Sequence, residues 1–158
     1  MIQRVQTLYL SIAIILLSFV TVGTTIFSFT NYTSRFAFSS YGITEYSIES
    51  GKIVSTKFFP IFIGLITLVL LCFICLMSYK NLKRQYKLGR TVFYIYFLML
   101  VSMILLATFG SKMIGKEDMI REMGLGFFLF VAGFPFTFLA NIGIKRDKQL
   151  LDSLDRLR

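Results

Sequence analysis

Apolar positions along the chain gather into four long runs that hold no Asp, Glu, Lys or Arg: Gln6 to Asn31, Phe58 to Tyr79, Thr91 to Ser111 and Met123 to Ile144. A hydrocarbon core of about 30 Å takes roughly 20 helical residues at about 1.5 Å each, so every run is long enough to cross one. In lipid a backbone must satisfy its own N–H and C=O groups, which makes such runs helices whatever their β-branched content. The pattern predicts an all-α integral membrane protein, a four-transmembrane-helix bundle forming a single domain over residues 1–158. Its helices cover about residues 6–31, 58–79, 91–111 and 123–144, with an outer loop at 32–57, a basic loop at 80–90 and a tail at 145–158. The first run exceeds the roughly 7–15-residue apolar region of a signal peptide and no A-x-A-like site follows it, so it reads as a retained anchor.

Composition agrees with a bilayer. Hydrophobic residues make up 56% and charged ones 16%, against about 45–50% and about 25% in an average soluble domain, which argues against a soluble enzyme. The net charge of +9 gains meaning from its placement. Eleven of the 17 basic residues fall on the side of the N-terminus, at Arg4, in the 80–90 loop and in the tail, and six on the other side. By the positive-inside rule both termini are cytoplasmic. With the acids included, the inner face carries +8 and the outer face +1. Such a surface attracts anionic headgroups at about 1 kcal/mol per nearby Lys or Arg, and nucleic acid is the weaker partner. Interfacial aromatics mark the boundaries: Tyr9, Tyr79 and the cluster Phe93, Tyr94, Tyr96 and Phe97 inside, Phe58, Phe59 and Phe62 outside.

Two segments outside the apolar runs carry patterns of their own. The outer loop alternates Phe36 with Phe38 and Tyr46 with Ile48, and a Glu49-Ser50-Gly51-Lys52 turn precedes Ile53 and Val54. This reads either as a small β-hairpin on the helix ends or as aromatic side chains resting at the membrane interface. The tail places Leu150, Leu151, Leu154 and Leu157 on one helical face, with Asp152 and Arg156 at i,i+4. It is read as an interfacial or partner-binding helix, or as an extension of the fourth helix.

The start MIQRVQTLYL, Met1 to Leu10, and the end LANIGIKRDKQLLDSLDRLR, Leu139 to Arg158, resemble the signature ends of a small four-helix membrane protein family of Bacteroidota, domain of unknown function 4293. The resemblance implies an inner-membrane location and no established activity. Ile142 and Gly143 after Asn141, where family members commonly have Arg, and the acid at Asp152 are departures from the pattern. The matched residues Gln3, Arg4, Asp155, Arg156 and Arg158 all lie on the cytoplasmic side, so the resemblance implies that the family's most specific contacts are there. With Lys80, Lys83, Arg84, Lys87, Arg90, Lys145, Arg146 and Lys148 they form the candidate surface for anionic headgroups or another membrane protein.

Catalytic chemistry finds little support. The chain has no His, and its two Cys, Cys72 and Cys75, form a C-x-x-C deep in the second run. Lipid burial disfavours a thiolate and no second Cys pair exists for a relay, so they read as small hydrophobes. None of the four runs holds an ionisable Asp, Glu, Lys, Arg or His for proton coupling, no nucleophile sits beside a base, and no ligand set for a cofactor or metal is offered. Small residues in the last run, Gly124, Gly126, Gly133 and Thr137, with Pro135 as a kink, are candidates for helix packing. The expectation is a non-enzymatic accessory or scaffolding subunit of a membrane assembly. The alternative is a lipid- or solute-handling protein with a cavity between the first and fourth helices.

Overall fold

The computed structural model of the chain describes residues 3–114 and 119–156. The order of elements is α1 (Gln3–Thr21), β1 (Thr25–Thr30), β2 (Ser34–Ser39), β3 (Gly42–Ser47), β4 (Ile53–Phe58), α2 (Ile61–Met77), a 3₁₀ turn (Ser78–Lys80), α3 (Leu82–Ile114), β5 (Ile120–Met123) and α4 (Leu125–Arg156). The strands form one antiparallel sheet in the order β4-β3-β2-β1-β5. The expected all-α four-transmembrane-helix bundle is thereby corrected: the fold combines helices with a five-stranded sheet. Three helical segments, Ile61–Lys80, Leu82–Gly110 and Leu125–Leu150, are long and apolar enough to cross a membrane, whereas the apolar part of α1, Val5–Thr21, is shorter.

The first apolar run fails as one helix because it holds two elements. α1 stops at Thr21, and Gly23 takes φ +103°, a left-handed conformation that breaks the helix and suits glycine. The run then continues as β1, which lies between β2 and β5 and is buried from Ile26 to Phe29 on both faces. A strand covered on both faces needs no charge and no alternation, so it looks like lipid-buried helix in sequence. Phe27 stacks on Phe38 with ring centroids 4.5 Å apart, and Phe29 meets Phe38 edge-on at 5.5 Å. These rings rest over the end of α3, where Gly110 lets Phe29 come close.

The 32–57 segment contributes three strands in place of a single hairpin. The turn at 49–52 joins β3 to β4, with Gly51 at φ +63°. β5 returns from α3 to pair with β1 and places Ile120 opposite Thr30. The link between the third and fourth apolar runs therefore includes a strand, and the terminal Met123 of the fourth run belongs to it. A short polar triad crosses three strands: Arg35 Nη2 donates to Ser28 Oγ at 3.4 Å, Ser28 Oγ donates to Glu122 Oε2 at 3.3 Å, and Arg35 lies 3.6 Å from Glu122.

α1 and α4 lie antiparallel, with the end of α1 beside the start of α4 and Gln6 beside Asp147. A Cβ at Gly124 would strike the Thr25 carbonyl, one at Gly126 would lie 2.7 Å from Thr24 Oγ1, and one at Gly143 would lie 2.8 Å from Gln6 Cγ. The expected basic loop is helical, because Asn81 Oδ1 accepts from the Arg84 amide at 3.1 Å and caps α3. The expected tail likewise continues α4 as far as Arg156.

Candidate functional site

The end of the bundle opposite the sheet gathers the basic residues. Lys80 and Arg84 line one open groove at the α2–α3 turn together with Ser78 and Asn81. Lys83, Lys87, Lys145 and Arg146 are exposed on α3 and α4. Tyr86 draws two more charges together, with the Lys148 ammonium 5.0 Å and the Arg90 guanidinium 6.0 Å from its ring centroid. The side chains of Gln3, Arg4, Asp155 and Arg156 and the whole of Arg158 lie outside the described residues.

Beneath this basic rim lies a polar contact with no obvious signal in the sequence. Gln6 Nε2 donates to Asp147 Oδ2, and both side chains are buried between α1 and α4. Asp147 lies beyond the fourth apolar run, but its helix continues and carries it against α1. Among the described residues its Oδ1 and the Oδ1 of Asn141 are buried without a hydrogen-bond partner. Cys75 is buried with its Sγ 3.7 Å from the Gln85 carbonyl oxygen, and Cys72 packs in the main apolar core. Among the described residues no cluster of His, Cys, Asp and Glu could hold a metal ion.

The expected helix-packing residues divide. Gly133 faces Tyr96, whose hydroxyl occupies the space a Cβ would need and donates to the Phe130 carbonyl at 2.7 Å. Thr137 is buried and donates to the Phe134 carbonyl at 2.7 Å. Pro135 is exposed, so it takes no part in that contact. Tyr96, expected in an interfacial belt, is fully buried mid-bundle, while Tyr94 and Phe97 beside it are exposed.

At the sheet end, β4 is a free edge with a bulge that leaves Val54 without a partner on β3. At the strand ends away from α1 and α2, the β1–β2 and β3–β4 turns are tied by the Ile48 amide, which donates to the Thr33 carbonyl at 3.2 Å. This distal rim exposes Tyr32 (96%), Ile48, Ile53 and Val54 (62%). At the proximal end, a cavity of about 230 Å³ lies between the sheet and α3, lined by Phe36, Phe38, Ile43, Glu45, Ser55, Lys57, Phe59, Leu106 and Gly110. The lipid-handling alternative expected a cavity between the first and fourth helices, where a Cβ at Gly143 would lie 2.8 Å from Gln6 Cγ.

The family model described as a domain of unknown function, DUF4293, matches residues 2–157. The chain belongs to this family. A search of the curated proteins finds no match. The match extends over both ends of this DUF4293 chain and over the sheet between them. The family description assigns no chemistry, so the geometry has to carry the functional reading.

Proposed function

We propose that this DUF4293 protein is a non-enzymatic bacterial inner-membrane scaffold, an accessory subunit that holds a larger membrane assembly together. In this reading its termini and basic end face the cytoplasm and anionic headgroups, and its sheet faces outward to a protein partner. The observation that carries it is the distal rim of the sheet. From Phe58 to Ile53 the strand advances about 17 Å from the start of α2, so lipid around α2 does not account for exposed Tyr32, Ile48, Ile53 and Val54. Apolar side chains grouped on a polar surface mark a protein contact. The bulge at Val54 disturbs backbone pairing along this edge, which leaves recognition to side chains. On the other side, the eight exposed or ring-held Lys and Arg at 80–90 and 145–148 suit a cytoplasmic leaflet.

Gentle detergent extraction and native sizing of cells carrying the parent or the double variant Tyr32→Glu, Val54→Glu test this reading. The parent is expected to migrate in a larger assembly and the variant to fall to the size of the isolated protein with unchanged helix content. A parent that is a monodisperse monomer overturns it.

A further inference from the structure

Along β4 the cavity between the sheet and α3 has an order of chemistry with distance from the start of α2. Its floor is Phe59, just before α2, and Leu106 near the end of the apolar span Leu82–Gly110, while Phe38, Phe36 and Gly110 form an apolar wall beside the charges. Lys57 comes next, opposite Ile43 in the sheet register, and Glu45 lies two pairs farther out on the same face, opposite Ser55. Diagonal positions of this kind are about 7–8 Å apart. Among the described residues neither Glu45 nor Lys57 has an ion-pair partner, although Glu45 Oε2 accepts from Ser55 Oγ at 2.9 Å. Two opposite charges therefore stand in sequence above an apolar floor.

We propose that this cavity binds one outer-leaflet phospholipid with a zwitterionic phosphoethanolamine head, taking part of one acyl chain against the floor. A lipid of this class presents hydrocarbon, then phosphate, then a primary ammonium with increasing height. Lys57 matches the phosphate and Glu45 the ammonium in that order, and both contacts are charge-assisted hydrogen bonds. At about 230 Å³ the cavity is smaller than the roughly 300–1,000 Å³ of sites that enclose a drug-sized ligand, so it accepts a length of chain and leaves the rest of the lipid in the bilayer. Phe59, exposed just before α2, borders the floor on the side of the apolar spans, where an acyl chain would enter. This site takes its outer-leaflet side from the orientation proposed above, but it is separate from the distal rim and stands whether or not a protein partner binds there.

The test uses full-length protein in vesicles doped with phosphatidylethanolamine that carries a photoactivatable acyl chain, followed by peptide mapping. Label is expected on the segments containing Phe36 and Phe38 or Leu106 and Gly110. Leu106→Trp, which fills the floor, and the charge swap Glu45→Lys with Lys57→Glu, which reverses the order without altering net charge, are each expected to reduce it about fivefold or more. A phosphatidylglycerol probe, which has the phosphate without the ammonium, is expected to label these segments about fivefold less. The swap leaves the core untouched, so it remains informative if Leu106→Trp fails to fold. Label spread evenly over lipid-exposed positions such as Leu70 and Leu98, label at the cavity that the swap leaves unchanged, or equal labelling by both lipids overturns the proposal.

Discussion

The two ends of the helices are held by opposite means. At the sheet end, Phe27, Phe29, Phe36 and Phe38 form an apolar cluster continuous with Leu17, Val20 and Met103. At the basic end the apolar cluster is small, Leu10, Cys75, Ala140 and Ile144, and the adjoining contact is a buried amide on a carboxylate. Dispersion and water exclusion scale with the area covered, whereas a buried polar pair contributes little net stability and costs much when one member is lost. The sheet end thus fixes the fold, and the basic end fixes how α1 and α4 register while keeping charge at the surface.

That contrast can be broken most forcefully at Phe27. Phe27→Ala removes a fully buried ring stacked on Phe38 and is expected to cost about 3–5 kcal/mol, read as early proteolysis of the sheet in a denaturation series. Loss of under about 1 kcal/mol would show that the sheet is not the dominant core. Between the ends, Gly133→Ala drives a methyl into the Tyr96 hydroxyl and is expected to cost about 1–3 kcal/mol. Adding Tyr96→Phe should recover part of that cost, and simple additivity of the two would dissolve the contact.

At the basic end, Asp147→Ala strands the buried Gln6 amide and is expected to cost about 1–3 kcal/mol. Asp147→Asn keeps an acceptor and removes a buried charge, so its stability should equal or exceed that of the parent; a loss as large as that of the alanine would mean the charge itself is used. Replacing Lys148 by Gln removes one cation from the Tyr86 ring and should cost about 0.5–1 kcal/mol. The smallest effect belongs to Glu122→Gln. Its contact with Arg35 is half exposed, so a change within about 0.5 kcal/mol is expected, and a larger one would show that the polar triad on the sheet is stiffer than its exposure implies.

Sequence pattern and structure agree where a long run is apolar on every face and part where two burial environments share one composition. The segments around Leu65, Leu98 and Phe130 are apolar on every face, and the structure has them as helices. Ile26 to Phe29 are equally free of charge yet form a central strand, and only Gly23 with its two following threonines hints at the change. Tyr96 illustrates the same limit. Next to Tyr94 and Phe97 it looks like one of an interfacial cluster, but helical phase turns it inward onto a carbonyl in the space left by Gly133. Asp147 sits among Lys145, Arg146 and Lys148, and nothing local distinguishes the one carboxylate that meets Gln6 across 141 residues.

By itself the amino-acid sequence determined that this is a strongly apolar chain with helices long enough to cross a membrane, that its basic residues collect toward one end, and that its ends carry the family pattern later matched over residues 2–157. Those features are local or compositional, so they survive reading one segment at a time. Only the tertiary structure decided that the first apolar run divides into helix and strand, that β5 closes a five-stranded sheet, and that Lys57 and Glu45 stand above a cavity floored by α3. Strand pairing joins residues as distant as Phe27 and Met123, and such partners are selected by the burial they achieve together, which no single segment encodes.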